Sequence, residues 1–114
     1  MNSPGAILSV AFFRTASGNE PVREWLKALP RENRRSIGED IKTVQFGWPL
    51  GMPLVRKLDA GLWEVRSRLP GGIARLIFTT GERQMVLLHG FIKKSQRTPA
   101  DDLELARRRL RMLE

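Results

Sequence analysis

Three alternating stretches between Leu62 and Pro99, divided by two turn signals, constrain this chain more than anything else in it. In Leu62–Leu69 the residues Trp63, Val65 and Leu69 fall on one face and Glu64, Arg66 and Arg68 on the other, because successive side chains of a strand point to opposite sides. Pro70-Gly71-Gly72 then supplies a turn. A Gly-Gly pair takes the positive φ angles of a two-residue hairpin loop, so Gly71 and Gly72 are the expected turn residues. That register sets Arg68 opposite Arg75 and Arg66 opposite Ile77, and it puts Ala74, Leu76 and Phe78 on the oily side with Trp63 and Val65. Gly81-Glu82-Arg83 reads as a three-residue loop into Met85–Ile92, with Val86 opposite Phe78, Leu88 opposite Leu76 and His89 opposite Arg75. One face would then gather Glu64, Arg66, Arg68, Arg75, His89 and Lys93.

The rest of the chain supplies a cover for the oily face. Ile7 to Arg14 is rich in strand formers and ends at Thr15-Ala16-Ser17-Gly18-Asn19. A helix follows with Asn19 as N-cap and Pro21 in its first turn, where a missing N–H is harmless. Its apolar residues Val22, Trp25, Leu26 and Leu29 make a single stripe. Pro30 ends it and starts a second helix with the stripe Ile37, Ile41 and Val44, closed by Gly47-Trp48-Pro49. Leu54–Leu58 reads as a short strand in which Arg56 and Lys57 point to opposite faces, so one of them joins the charged surface. The last segment has Thr98 as N-cap, Pro99 at N1, acids early and Arg107, Arg108, Arg109 and Arg111 late, which suits the helix dipole. Its buried stripe is Leu103, Ala106, Leu110 and Leu113, and its arginines read as a solvated helix end. The expected fold is α+β: a twisted, mainly antiparallel sheet with a helical hairpin on one face and a C-terminal helix at the side.

The 114 residues, 41% of them hydrophobic, suffice for one domain. The net charge is +8, and residues 51–114 hold 13 Lys or Arg against 7 Asp or Glu, so six of the eight excess charges fall in the half that carries the three strands. Such a surface suits a polyanion, either nucleic acid or an acidic protein. With no cysteine and one histidine, neither a disulfide nor a His-based or thiolate metal site is expected, and no cofactor is implied. The opening Met1–Gly5 lacks the basic start of a signal peptide and Ala6–Phe13 is too short to span a bilayer, so a cytoplasmic protein off the membrane is expected.

Leu62-Trp63-Glu64-Val65-Arg66, Arg75 within an apolar strand, and above all Val86 to Pro99, ending Lys93-Lys94-Ser95-Gln96-Arg97-Thr98-Pro99, resemble the RelE and HigB toxins of type II toxin-antitoxin systems, closest to their phage-derived HigB-like branch. The resemblance follows the element order of the whole chain, with its specific part in the second half. It implies an mRNA interferase that cuts translated messages on the ribosome and is held inactive by a cognate helix-turn-helix, HigA-like antitoxin. By the same resemblance Arg75 holds the scissile phosphate, and Lys94, or Lys93 beside it, stands near the leaving group.

The chemistry itself asks for similar residues. Metal-free RNA cleavage by the ribose 2′-OH needs one proton removed, one delivered, and a phosphorane neutralised by cations. Arg66 and Lys57 are candidate contacts to flanking phosphates, with Arg68 and Arg97 as further RNA-binding cations. Glu64 and His89 are the candidates for proton transfer; their ordinary alternatives are a counterion to Arg66 or Arg68 and a satisfied strand end. Phe91, of the same parity as His89, is the candidate for stacking on a base, whereas Trp63 reads as core. The sequence has no Tyr, and Leu62 and Glu64 stand where RelE carries lysines, which leaves the general base open. Two other classes compete: a ParE-like gyrase inhibitor and a non-enzymic nucleic-acid-binding domain.

Overall fold

In the computed structural model, which describes residues 4–93 and 97–113, eight elements follow in the order β1 Ser9–Phe12, α1 Pro21–Ala28, α2 Arg31–Gly47, β2 Val55–Asp59, β3 Leu62–Leu69, β4 Gly72–Gly81, β5 Gln84–Lys93 and α3 Ala100–Leu113. They form a five-stranded sheet ordered β1-β5-β4-β3-β2, antiparallel except where β1 runs parallel to β5. The fold is α+β, with the helical hairpin packed on a twisted sheet and a C-terminal helix.

The hairpin covers the oily face as its stripes require. Val22, Ile37, Ile41 and Val44 are buried against Val65, Ala74, Leu76, Phe78 and Leu87, with Trp25, Leu26 and Leu29 packed around them. Trp25 lies so close to β5 that a Cβ on Gly90 would come within 2.5 Å of its ring. The N-cap of α1 is Glu20, not Asn19, which instead closes the preceding turn by donating its N–H to Thr15 Oγ1 at 3.1 Å. Glu20 carries its charge at the positive end of the helix dipole and pairs with Arg14 and Arg23. At the other end of the hairpin, buried Gln45 ties α2 to the residue just before β1 through Nε2, which donates to Leu8 O at 3.1 Å.

The registers differ from expectation in ways that decide the site. Leu69 pairs with Gly72, so Pro70 and Gly71 are the turn residues, and Arg66 faces Arg75 while Arg68 faces Ile73. Proline's fixed φ presets the first central position of a turn, which outweighed the Gly-Gly signal. Because the slip is by two residues, every side chain keeps its expected face. The next turn is also of two residues: Gly81 pairs with Gln84, and Glu82 and Arg83 take positive φ of 51° and 63°, the geometry that suits the twist of a hairpin.

A bulge then shifts β5. Ile77 faces His89 and Phe78 faces Leu87, leaving Leu88 as the extra residue. Because the turn has two residues and not three, Val86 already faces Thr79 rather than Phe78 before the bulge, and Leu88 does not face Leu76. Both belong with the second core, where Phe13, Leu62, Ile77, Leu88 and Ala106 are buried and Val86, Leu103 and Leu110 pack around them.

That second core lies under α3, which packs on the charged face of the sheet instead of standing at its side. Leu113, expected in the stripe, is 47% exposed. The arginines of α3 are not simply a solvated end. Arg107 donates twice to Asp59 Oδ2, at 2.7 and 3.0 Å, and Arg109 Nη1 donates to the carbonyl of the bulged Leu88 at 2.7 Å. The second contact satisfies a polar group that the bulge takes out of the ladder. The helix is clamped to the sheet at both hairpin β2–β3 and strand β5.

Candidate functional site

The α3 side of the sheet can be laid out from the pairings alone. Arg56, Glu64, Ile77 and His89 form one row across β2, β3, β4 and β5; Arg66, Arg75 and Phe91 form the next; Arg68, Ile73 and Lys93 form the third. Adjacent rows on one face stand two residues apart along the strands. Glu64, Arg66, Arg68, Arg75, His89, Phe91 and Lys93 therefore do share a face. His89 reaches it opposite Ile77 rather than Arg75, since the shorter turn and the bulge together move it while keeping its side.

Lys57 does not join them. A second bulge, at Leu58, lets Lys57 face Trp63 and Arg56 face Glu64. Without it the Ala60-Gly61 turn would have put Lys57 opposite Glu64. Lys57 Nζ instead lies 5.6 Å from the Trp63 ring centroid on the opposite side of the sheet, and Arg56 is the cation that completes the charged face.

At the centre sits a buried ionic group. Glu64 and Arg75 are both 0% exposed and the Arg66 side chain 8%. Glu64 Oε1 lies 3.9 Å from Arg75 Nη1 and 4.0 Å from Arg66 Nε, while Oε2 accepts a hydrogen bond from Thr98 Oγ1 at 2.7 Å. Burial pushes the Arg75 pKa down; Glu64 pulls it back up, and the neighbouring charges of Arg66 and Arg56 push it down again. Thr98, expected as the N-cap of α3, spends its hydroxyl on this carboxylate, and Leu103 N donates to Pro99 O at the helix start. Arg75, expected to grip the scissile phosphate, has no surface with which to touch one here, so it serves as a support beneath the face.

His89 has a defined partner. Its Nε2 lies 2.6 Å from Asp102 Oδ1 on α3, and its ring stacks on Phe91 with centroids 5.4 Å apart and planes inclined by 25°. An ionised carboxylate only accepts, so the proton of the neutral ring sits on Nε2 and Nδ1 is the basic nitrogen. Arg68, Lys93 and Arg97 are exposed. Lys94 lies outside the described residues.

Sequence reasoning missed the roles of Thr98 and Asp102, and it left open whether Arg56 or Lys57 joins the charged surface. Asp102 stood in the first turn of a helix, where an acid already had a sufficient explanation in the dipole, and nothing in the sequence announces the bulge that admits Arg56. A surface depression of about 720 Å3, lined by Ile7, Trp48 and Arg83 among others, lies at the far end of β4 from Arg75. Among the described residues no three His, Asp or Glu side chains are grouped as metal ligands would be, and no helix is long and apolar enough to cross a membrane.

Residues 24–111 match the family described as phage-derived protein Gp49-like (DUF891). The chain belongs to that family. The matched stretch starts inside α1 and runs nearly to the end of α3, so it includes every residue of the charged face and leaves out β1. No curated protein matches the sequence.

Proposed function

We propose that this member of the Gp49-like family is a RelE/HigB-like toxin, a metal-independent endoribonuclease that cuts messenger RNA on the ribosome and is neutralised by a helix-turn-helix antitoxin. The observation that carries the reading is the convergence of Arg66 and Arg75, from two neighbouring strands, on the single carboxylate of Glu64, with Arg56 opposite Glu64 on β2 and the His89–Asp102 pair beside them. Positive charge held in place by the fold, in a site of low dielectric, stabilises a phosphorane without reorganising during the reaction.

In this reading the ribose 2′-oxygen bonds to phosphorus as His89 Nδ1 takes its proton, and the P–O5′ bond breaks. The products are a 2′,3′-cyclic phosphate and a 5′-hydroxyl whose oxygen takes its proton from the Lys93 ammonium, and exchange with water then returns Lys93 and His89 to their starting forms. Arg56 and Arg66 face the reacting phosphate; Arg68, Lys93 and Arg97 hold its neighbours. Arg75 and Glu64 are positioning residues, with Glu64 fixing the two guanidiniums rather than moving a proton. Phe91, stacked on His89, holds the ring and offers a face to a base.

Induced expression tests the proposal. Wild type should arrest growth and shorten messages, while His89→Ala and Lys93→Ala should abolish both and still co-purify with the antitoxin. Arrest that survives both substitutions while gyrase activity falls would replace this reading with the ParE-like one, and RNA binding without message cleavage would replace it with a non-enzymic binding domain.

A further inference from the structure

The edge of β3 carries a groove that shares Arg66 and Arg68 with the site above and extends beyond it to α2. Pairing with β2 stops at Val65, so Arg66 to Leu69 run on beyond it, joined to the preceding loop where Arg66 N donates to Leu54 O at 2.8 Å. A depression of about 380 Å3 opens there, with Glu39 and Asp40 of α2 on one side, Pro53 and Leu54 as an apolar wall, and Arg66 and Arg68 on the other. Its size falls within the range of small-molecule sites, about 300–1,000 Å3. Pro53, Arg66 and Arg68 also line a smaller depression with Ile73, and Arg68 and Ile73 line a third at the β3–β4 turn. The three depressions share Arg68 and follow one another from the carboxylates of α2 towards the row in which Ile73 stands opposite Lys93.

The two acids are not equivalent. Asp40 Oδ2 accepts from Ser67 Oγ, which fixes that carboxylate to the sheet. Glu39 is exposed, and its carboxylate meets only a surface guanidinium, Arg35 Nε at 3.5 Å, among the described residues. Such a pair is cheaply exchanged for a ligand. A carboxylate accepts and does not donate. Of the four RNA bases, guanine alone presents two adjacent donors, N1–H and the N2 amino group, on its pairing edge. Adenine and cytosine set a lone pair beside their amino group, and uracil flanks its N3–H with two carbonyls, so each of these opposes a carboxylate with a second acceptor.

We propose that this groove holds an unpaired guanine of single-stranded RNA, with Glu39 accepting from N1–H and N2–H and Arg68 holding an adjoining phosphate. The proposal rests on the reading that the basic face acts on RNA, and it adds which base is seated beside the reacting phosphate. Binding of 2′-O-methyl oligoribonucleotides, which cannot be cut by 2′-OH attack, measures it apart from catalysis. In fluorescence anisotropy an oligomer with one guanine should bind wild type about tenfold tighter than its inosine or adenine counterparts, as a bidentate base contact allows. Glu39→Gln should bring all three within twofold of one another, whereas Arg68→Ala should weaken all three equally. Equal binding of the three by wild type, or a guanine preference that survives Glu39→Gln, overturns the guanine site. Cleavage of unmodified RNA alongside either result leaves the nuclease reading standing, and guanine-selective binding with no cleavage does the reverse. Absence of RNA binding by wild type overturns the guanine site, whereas the nuclease reading, which places cleavage on the ribosome, falls only if translating ribosomes give no cleavage either.

Discussion

His89 Nε2 and Asp102 Oδ1, 2.6 Å apart, join β5 to α3 across the charged face of the sheet. The contact fixes which imidazole nitrogen carries the proton and, with the Phe91 ring stacked on one side, how the ring is turned. Asp102→Asn offers an amide that can donate to Nε2 and so favours the wrong tautomer. Message cleavage should fall by roughly 10²- to 10⁴-fold, the range of a lost general base, with RNA affinity within twofold of wild type. Single-turnover kinetics together with equilibrium binding separate the two quantities, and equal losses in both would make Asp102 merely structural.

Glu64 holds two nearly buried guanidiniums, so its removal should be costly. Glu64→Gln leaves Arg66 and Arg75 without their shared negative charge, and urea denaturation should show a loss of about 3–5 kcal/mol, as for other broken buried pairs. Replacing the group together, Glu64→Leu with Arg66→Met and Arg75→Met, should restore most of that stability while abolishing cleavage. Such a result would mean that the ionic cluster is kept for function at the expense of stability.

The faces of β3 and β4 were legible in the sequence because two separate alternations agreed, and a register error of two residues does not move a side chain across a sheet. The hairpin of α1 and α2 was legible because its stripes needed the oily face they cover. The bulges at Leu58 and Leu88 were not, since each depends on which residue the neighbouring strand leaves unpaired. The first exchanged Lys57 for Arg56 on the charged face, and the second returned His89 and Phe91 to that face after the shorter turn had set Val86 and Leu88 beneath α3. Thr98 and Asp102 matched local rules for a helix start so well that their long-range partners, Glu64 and His89, went unread.

Gly90 is where the helical hairpin touches the sheet most closely. Alanine there would set its Cβ 2.5 to 2.6 Å from two atoms of the Trp25 ring. Overpacking of this kind costs typically about 1–3 kcal/mol. Gly90→Ala should therefore lower the thermal midpoint, and Trp25→Leu in the same chain should recover part of the loss; additive losses would show that the two residues do not meet.

The Arg107–Asp59 contact should make stability depend on acid. The hydrogen bond from Arg107, then that from the backbone N–H of Ala60, and the Arg107 charge hold the Asp59 carboxyl below its usual range. A carboxyl depressed in the folded state contributes stability that is present above the unfolded value, about pH 4, and is lost as pH falls through the lower folded value. Asp59→Asn should flatten the fall in stability below about pH 4 and leave the difference between variant and wild type constant above it. Because the pair is at the surface, the effect should also shrink with added salt.

The central claim is that the basic face of the sheet cuts RNA through the ribose 2′-OH. The measurement that tests it most directly is end-group analysis of RNA incubated with translating ribosomes and the purified chain, with released fragments also collected after His89→Ala. Fragments bearing 2′,3′-cyclic phosphate or 3′-phosphate with 5′-hydroxyl ends, made by wild type and not by the variant, are the predicted result. Intact RNA, or fragments with 3′-hydroxyl and 5′-phosphate ends, would contradict it.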